Sequence, residues 1–460
     1  MSKTILAIDI GSKTTKAVIA EIDEYNDIKV LGHGFVESQG VKKGIITNID
    51  LASKSIRKAV SDARRIAGNN IHSAVVSISS AYTKSINSIG IVNIPQRDIT
   101  IKEIQRVMET ALYNAEIPKD YEVLHVLPYN FKVDEQSNIE DPYNMNASRM
   151  EVEAHIVMAQ KSSLNNLKKA IVSAGLEIEA IVLDSYASAI ATMTEDEKTL
   201  GVAVLDLGGQ TSSLSVFKGH SLRFNTYLPV GSDHITNDIS IALHTPLDVA
   251  EEVKKEHGDV IEINDDMIEL PIIGDSNNKS SVPLKVVQDV IVARVDELLA
   301  VLASSLEKSG YRDIIGSGVI LTGGMTKLKN LREFAQAIFP GLSVRIGMPT
   351  QLKGLFDELN DPANSTVIGL LLYKAGYNTQ YEIDNKKRLL HQKEETAGSL
   401  TDIKIVSRDE SSLTGSKKKQ NETALNKGDE EIIVFDDLPG IDEGKGGLKN
   451  RIINWIKQLF

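Results

Sequence analysis

Through the first 380 residues, short solid runs of Ile, Val, Leu and Ala alternate with stretches whose apolar residues recur every three or four positions. A short solid run reads as a buried strand, and the three-to-four recurrence as a helix with one face inside. "TILAID" and "AVIAEI" are accordingly adjacent buried strands, and "HSAVVSIS" returns to strand after an intervening helix. That helix is "NIDLASKSIRKAVSDARRIAG". Asn48 or Asp50 caps it, Ile49, Ile56, Val60 and Ile66 mark its buried stripe, and Gly68 ends it. The mixture predicts α/β architecture.

Two segments break the rhythm. From about 83 to 159 a strand, a helix ("TIKEIQRVMETALYNAE") and several strands around "DPYNMNASRMEVEAHIVMAQ" read as a compact inserted unit. From about 233 to 309 the chain is mostly helical. After Tyr377 the character changes, and Lys, Glu, Asp, Ser and Asn dominate residues 381–446, with a lysine triplet at 417–419. Such a stretch buries too little apolar surface to offset its ordering entropy, so a flexible linker is expected. Its one apolar interruption, "EEIIVFDDLPGI" at 430–441, is either incidental or a short motif for a partner.

Helical periodicity returns in "GGLKNRIINWIKQLF", which holds the only tryptophan. Leu448, Ile452, Trp455, Ile456 and Leu459 share one face, which Ile453 and Phe460 widen. Asn450, Arg451, Asn454, Lys457 and Gln458 lie opposite, and Lys449 snorkels from the apolar side. The helix is too short to span a bilayer and suited to lie in the headgroup layer. Lys449, Arg451 and Lys457 favour anionic lipid by on the order of 1 kcal/mol each. Docking on the protein's own core is the alternative. A linker of roughly 66 residues gives the tail a reach of roughly 45 Å as a random coil.

Composition narrows the function classes. At 460 residues the chain has room for more than one domain, and 42% hydrophobic content excludes wholesale disorder. A net charge of −12 argues against nucleic-acid binding. There are no cysteines, which removes thiolate metal sites and fits a reducing compartment, and the nine histidines show no metal-ligand spacing. "MSKTILAIDIG" lacks a signal-peptide plan, and no apolar run approaches the ~20 residues of a spanning helix. A cytoplasmic protein is expected.

The chemistry lies in a repeat. "LAIDIGSKTTKAVIA" (6–20) aligns with "AVLDLGGQTSSLSVF" (203–217), placing Asp9 on Asp206, Gly11 on Gly208, Ser12 on Gly209, Lys13 on Gln210 and Thr14 on Thr211. Each copy is a strand ending in Asp-x-Gly, a turn of small residues and a second strand. Glycine lets the backbone approach an anion, and turn N–H groups with Ser and Thr hydroxyls cradle phosphate oxygens. The two aspartates suit water-mediated holding of Mg²⁺. Either turn alone could be an ordinary hairpin; two in register point to one nucleotide clamped between similar lobes. A third glycine element, "GVILTGGMTKLKNLREFAQAIF" (318–339), is either a plain strand-to-helix connection or a surface along which adenine slides.

These three elements resemble the phosphate-1, phosphate-2 and adenosine motifs of the actin, Hsp70 and sugar-kinase superfamily. Within it, "GVKKGIITNID", "DPYNMNASRMEVEAHIV", "TMTEDEKTLGVAVLDLGGQT", "LPVGSDHITNDISIAL" and the amphipathic tail are similar to FtsA, the bacterial cell-division family. The resemblance implies a two-lobed actin-like ATPase fold with an inserted 1C subdomain, then a disordered linker and a C-terminal amphipathic helix. It places subdomain 1A at 1–82 and 160–198, 1C at 83–159, 2A at 199–232 and 310–380, and 2B at 233–309. The linker is then 381–446 and the membrane helix 447–460.

Carried over by position, the resemblance gives Asp9, Gly11, Ser12, Lys13 and Thr14 to the first phosphate turn. It gives Asp206, Gly208, Gly209, Gln210 and Thr211 to the second, and Gly323, Gly324 and Met325 to adenosine. Asp9 and Asp206 hold Mg²⁺ through water. Glu251 and Lys254 match a Glu-x-x-Lys helix on the ribose side, with a solvated charged face as the alternative. Asp184 takes the position of an acid that orients the attacking water in some relatives. Where relatives have a third glycine this chain has Gln210, which either bonds a phosphate or crowds it. ATP is therefore expected to close the lobes and favour self-association into filaments, with hydrolysis at most slow.

The implied partners are the carboxyl-terminal peptide of the tubulin-like protein FtsZ, docked on 2B, together with cytoplasmic-membrane lipid and other division proteins. The expected place is the cytoplasmic face of the inner membrane at the septum. A pilus-assembly protein of FtsA-like type, without the tail helix, is the nearest rival. A sugar-kinase-type phosphotransferase would need a substrate cleft with a catalytic aspartate, and an Hsp70-like chaperone a β-rich domain that the residues after 380 cannot build.

Overall fold

A computed structural model of the chain describes residues 2–391 apart from Ile263 and Leu355. The chain opens with an antiparallel meander, β1 (Lys3–Ile10), β2 (Thr14–Ile22) and β3 (Ile28–Glu37). A short hairpin, β4 (Val41–Lys42) and β5 (Ile45–Ile46), leads to helix α1 (Ile49–Ala67). Strand β6 (Ser73–Ile78) then pairs parallel with β1. Asn48 caps α1 by accepting the Leu51 N–H at 3.0 Å, and Gly68 closes it at φ 67°. Its buried face is Ala52, Ile56, Ala59, Val60 and Ala63. Ile66, expected on that face, is 45% exposed; it lies roughly 80° around the helix from Ile56. The small alanines bring α1 onto β3 so closely that a Cβ on Gly34 would sit 2.1 Å from the Ala59 carbonyl oxygen.

The inserted segment has a core of its own. It comprises β7 (Thr83–Asn93), α2 (Ile101–Asn114), β8 (Tyr121–Val133), β9 (Gln136–Ile139) and β10 (Arg149–Gln160). The strands form an antiparallel sheet in the order β7-β10-β8-β9. Ile104, Val107, Met108 and Ala111 of α2 bury against Met150, Val152, Ala154 and Ile156 of β10. Helix α3 (Lys161–Ser173) and β11 (Glu177–Leu183) return the chain to the first sheet, whose order is β11-β6-β1-β2-β3.

Helices α4 (Asp184–Thr192) and α5 (Glu195–Leu200) lead into a second sheet on the same plan. It begins with another antiparallel meander, β12 (Val202–Leu207), β13 (Ser212–Lys218) and β14 (Ser221–Leu228). An excursion follows through α6 (Ser232–Leu243), α7 (Leu247–His257), a hairpin of β15 (Met267–Ile272) and β16 (Asp275–Pro283), and α8 (Leu284–Lys308). That hairpin departs from the mostly helical character expected of the segment. Strand β17 (Val319–Thr322), helix α9 (Leu331–Ile338), strand β18 (Val344–Ile346) and helix α10 (Ser365–Lys374) complete the lobe. The sheet order β14-β13-β12-β17-β18 repeats the first one: a meander, then two parallel strands beside its first member.

Residues 381–391, expected to begin the linker, are packed onto the body. Tyr381, Glu382 and Ile383 are all at most 3% exposed, and Ile383 exchanges two backbone hydrogen bonds with Val126 of β8, at 2.9 and 3.0 Å. Glu382 explains the burial of so polar a stretch. It accepts from His125 Nδ1 at 2.6 Å, Tyr373 Oη at 2.8 Å and Tyr186 Oη at 3.1 Å. His125 Nε2 in turn accepts the Leu183 N–H at 3.1 Å, so its proton sits on Nδ1. Burial and the Glu382 carboxylate push Tyr186 and Tyr373 well above the ordinary tyrosine value. Buried polar groups persist when each is partnered, as here. The tail positions Leu448, Ile452, Ile453, Trp455, Ile456, Leu459 and Phe460 lie outside the described residues. Among those described, no helix is long and apolar enough to cross a membrane.

Candidate functional site

The two repeated hairpins have the same turn. β1 and β2 pair with Asp9 opposite Lys16, and β12 and β13 with Asp206 opposite Ser213. The Gly11 N–H donates to the Thr14 carbonyl at 3.2 Å, and the Gly208 N–H to the Thr211 carbonyl at 2.9 Å. A Cβ on either glycine would lie 2.9 Å from that carbonyl oxygen. Close backbone approach, rather than positive φ, is what requires glycine at both. The third element joins them because β17 runs parallel to β12, pairing Thr322 with Asp206. It ends at Gly323, where φ is 89° and a Cβ would press within 2.6 Å of an Asp206 carboxylate oxygen.

All three elements open into one cleft of about 420 Å³, a size that suits a nucleotide. The cleft is lined by Asp9, Gly11, Ser12, Lys13 and Thr14 from the first turn and by Asp206, Gly208, Gly209 and Thr211 from the second. Gly323, Gly324, Met325, Glu251, Lys254 and Asp184 also line it. Gln210 does not line the cleft. Its side chain turns away, accepting the Lys43 N–H at 2.8 Å and donating to Asp233 at 3.1 Å, so it neither bonds nor crowds a phosphate there. Helices α4 and α10 pack together, and Asp184 and Thr366 from their first turns face the cleft. Their positive dipole ends therefore favour an anion.

Glu251 and Lys254 are not a solvated charged face. Lys254 is 6% exposed and donates to Glu251 at 2.6 Å, Thr236 at 2.8 Å and the Ser232 carbonyl at 3.0 Å. Burial opposes ionisation of Glu251, but bonds from Lys13, Lys254 and Thr236 outweigh it and hold the carboxyl at about 2.

Sequence reading missed Lys16. It is buried on β2, 3.9 Å from the Asp9 carboxylate, and donates to the Ala363 carbonyl. Burial lowers its pKa while Asp9, Asp206 and Asp361 pull it back up. A lysine inside the otherwise buried run "TKAVIA" was the available signal, since an interior strand position rarely carries a charge without a partner. Thr366, which donates to Asp206 at 3.4 Å, was also missed; its sequence neighbourhood has no distinctive spacing.

The cleft concentrates carboxyl groups. Burial raises Asp9 against the pull of Lys16 and of the Ser77 hydrogen bond. Burial and neighbouring charge carry Asp206 to about 6, and burial with the nearby Asp206 carries Asp184 to about 7. Asp184 and Asp206 keep some access to the cleft, so a cation entering it would pull both values down. Desolvated carboxylates that repel one another fit a hard cation that retains water. Among the described residues no three His, Asp or Glu side chains gather as a direct ligand set.

Asp184 makes the stability of the fold depend on pH in one direction. Its folded value exceeds the ordinary carboxylate value, so its favourable contribution is fully present at low pH and is lost as pH rises through about 7. The ligand-free protein is expected to melt at lower temperature at about pH 8 than at about pH 5, and Asp184→Asn is expected to shrink that difference. Thermal melts at both values check it; equal slopes for the two proteins would refute the Asp184 assignment.

Two sheets of one plan, with the glycine turn of each first hairpin on a shared cleft, define an actin-like α/β fold. The fold likeness is direct for the PilM-PilN type IV pilus biogenesis complex, with TM-score 0.58 at 18% identity over 81% of this chain and 98% of that one. A family model described as cell division protein FtsA matches residues 203–369, and one described as an SHS2 domain inserted in FtsA matches 80–158. The chain is 37% identical to cell division protein FtsA of Helicobacter pylori, over 83% of this chain and 84% of the relative. It is 36% identical to that of Pseudomonas aeruginosa, over 81% and 89%. The chain belongs to the FtsA family of cell division proteins.

Proposed function

We propose that this chain binds ATP with Mg²⁺ in the cleft, self-associates in the nucleotide-bound form, and tethers FtsZ filaments to the cytoplasmic face of the inner membrane at the septum. The observation that carries the reading is the pair of matching turns, Gly11–Thr14 and Gly208–Thr211, opening on one cleft. Turn N–H groups and the Ser12, Thr14 and Thr211 hydroxyls hold phosphate oxygens, while Lys16 supplies a buried positive charge between Asp9 and the Ala363 carbonyl. Asp9 and Asp206 hold Mg²⁺ through water, and Gly323, Gly324 and Met325 border the adenosine. Mg²⁺ neutralises phosphate charge when bound. Asp184 accepts from Ser80 N at 2.9 Å and Ser185 N at 2.6 Å, bonds that fix a carboxylate able to orient a water molecule. With no stronger base in the cleft, slow hydrolysis is the expected rate class.

Membrane attachment is assigned to residues 447–460, and FtsZ peptide docking to the excursion at 233–309. One amphipathic helix binds lipid weakly, and a row of them on a filament binds by avidity. Nucleotide state thereby controls membrane residence through self-association. Vesicle co-sedimentation tests it, comparing the full chain with one ending at Gly446, with and without ATP. The full chain is expected to pellet with anionic vesicles, more so with ATP, while the shortened chain stays in the supernatant. Equal pelleting of both, or of neither, would sink the tether.

A further inference from the structure

The internal repeat equates Lys13 with Gln210, and both side chains leave their turns to reach the opposite lobe. Lys13, on the first lobe, reaches Glu251 at 2.5 Å and Asp233 at 3.3 Å, both on the second. Gln210, on the second lobe, accepts the Lys43 N–H of the β4–β5 hairpin on the first at 2.8 Å, and its amide donates to Asp233 at 3.1 Å. Asp233 stands between them, one carboxylate oxygen toward Lys13 and the other toward Gln210. Its own N–H donates to the Gly209 carbonyl at 2.8 Å, which ties the hub to the second turn. The turns are near contact there, since a Cβ on Gly209 would lie 3.0 Å from the Lys13 Cβ.

We propose that Lys13 and Gln210 form a reciprocal clasp through Asp233 that holds the two lobes closed over a bound nucleotide and sets how fast it leaves. This rests on the nucleotide reading above. A glycine at 210 could make neither the bond to Lys43 that joins the lobes nor the bond to Asp233 that orients the amide, so this glutamine supplies a connection that the three-glycine turn lacks. Gln210 does not adopt positive φ, so its turn position never required glycine. The two arms differ in kind. The Lys13 pair is 42% exposed on the lysine side and screened by solvent, whereas the Gln210 arm ends on a backbone N–H fixed by the hairpin. Gln210 is therefore a positioning residue: it touches the partner lobe rather than the ligand.

Displacement of a fluorescent ATP analogue by excess ATP, followed by stopped flow on the full chain, tests the clasp. Wild type, Gln210→Ala and Gln210→Glu are all expected to bind, with the alanine variant releasing about fivefold faster, roughly the worth of one such bond. The glutamate variant keeps the shape and the acceptor but sets a carboxylate against Asp233, and it is expected to release at least as fast. Combined with Asp233→Asn, Gln210→Ala is expected to add less than its own fivefold, because Asp233 orients the amide whose oxygen takes the Lys43 N–H. Wild-type release from Gln210→Ala, normal release from the isosteric Gln210→Glu, or fully multiplicative effects in the double variant would each overturn the clasp. A wild-type chain that binds no analogue would overturn the nucleotide reading and the clasp with it.

Discussion

Gly369→Ala is expected to destabilise the protein, although helix propensity alone says the opposite. Gly369 lies inside α10, and replacing glycine by alanine in a helix interior ordinarily gains about 1 kcal/mol. Here the new Cβ would lie 1.8 Å from the Ala187 carbonyl oxygen and 2.4 Å from its carbon, both backbone atoms of α4. A backbone cannot rotate away as a side chain can, so the two helices must part. Overpacking costs about 1–3 kcal/mol and sometimes more, and a backbone obstacle places this site at the upper end. The net loss is about 2 kcal/mol. The consequence reaches the site, because Asp184 and Thr366 stand in the first turns of these same helices and face the cleft. Thermal melts should fall by several degrees, and nucleotide affinity should fall with them. A melting temperature at or above wild type would show that the helices are free to separate.

What the sequence made legible and what it hid divide along a physical line. Solid apolar runs located β1, β2 and β6, because a strand buried on both faces carries few polar positions in its interior. The repeat located both turns, because a backbone that passes within bonding distance of itself strongly favours glycine. Packing made by absence was harder to see. The face of α1 is largely alanine set against Gly34, so a search for large apolar residues named Ile66 in place of Ala59 and Ala63. The segment at 381–391 looked like linker since its residues are polar. It is held by Glu382, whose partners Tyr186, Tyr373 and His125 come from distant parts of the chain and leave no local pattern. The β15–β16 hairpin was hidden for a related reason, its strands being short of the buried alternation that would mark them. Gln210 stands out in the sequence as unusual, yet its side chain is not aimed at the phosphate. Its direction depends on Lys43 and Asp233, which only the fold brings to it.

The second large effect is expected at the turns themselves. A valine at 208 would press within 2.9 Å of the Thr211 carbonyl that closes the turn, and one at 209 would meet the Lys13 Cβ at 3.0 Å from the other lobe. Both would remove the small-residue surface on which phosphate oxygens are expected to rest, and the one at 209 would hold the two turns apart. Neither glycine has positive φ, so the strain is confined to one close contact at each position, and the Thr211 carbonyl has to shift for the variant to fold. Calorimetric titration with Mg²⁺-ATP therefore separates binding from folding, with far-ultraviolet circular dichroism as the check on structure. Wild type is expected to bind one nucleotide per chain, and Gly208→Val/Gly209→Val to fold and bind at least about a hundredfold more weakly, a loss of about 2.8 kcal/mol. A folded double-valine variant that binds ATP as tightly as wild type would contradict the assignment of these two turns as one phosphate clamp.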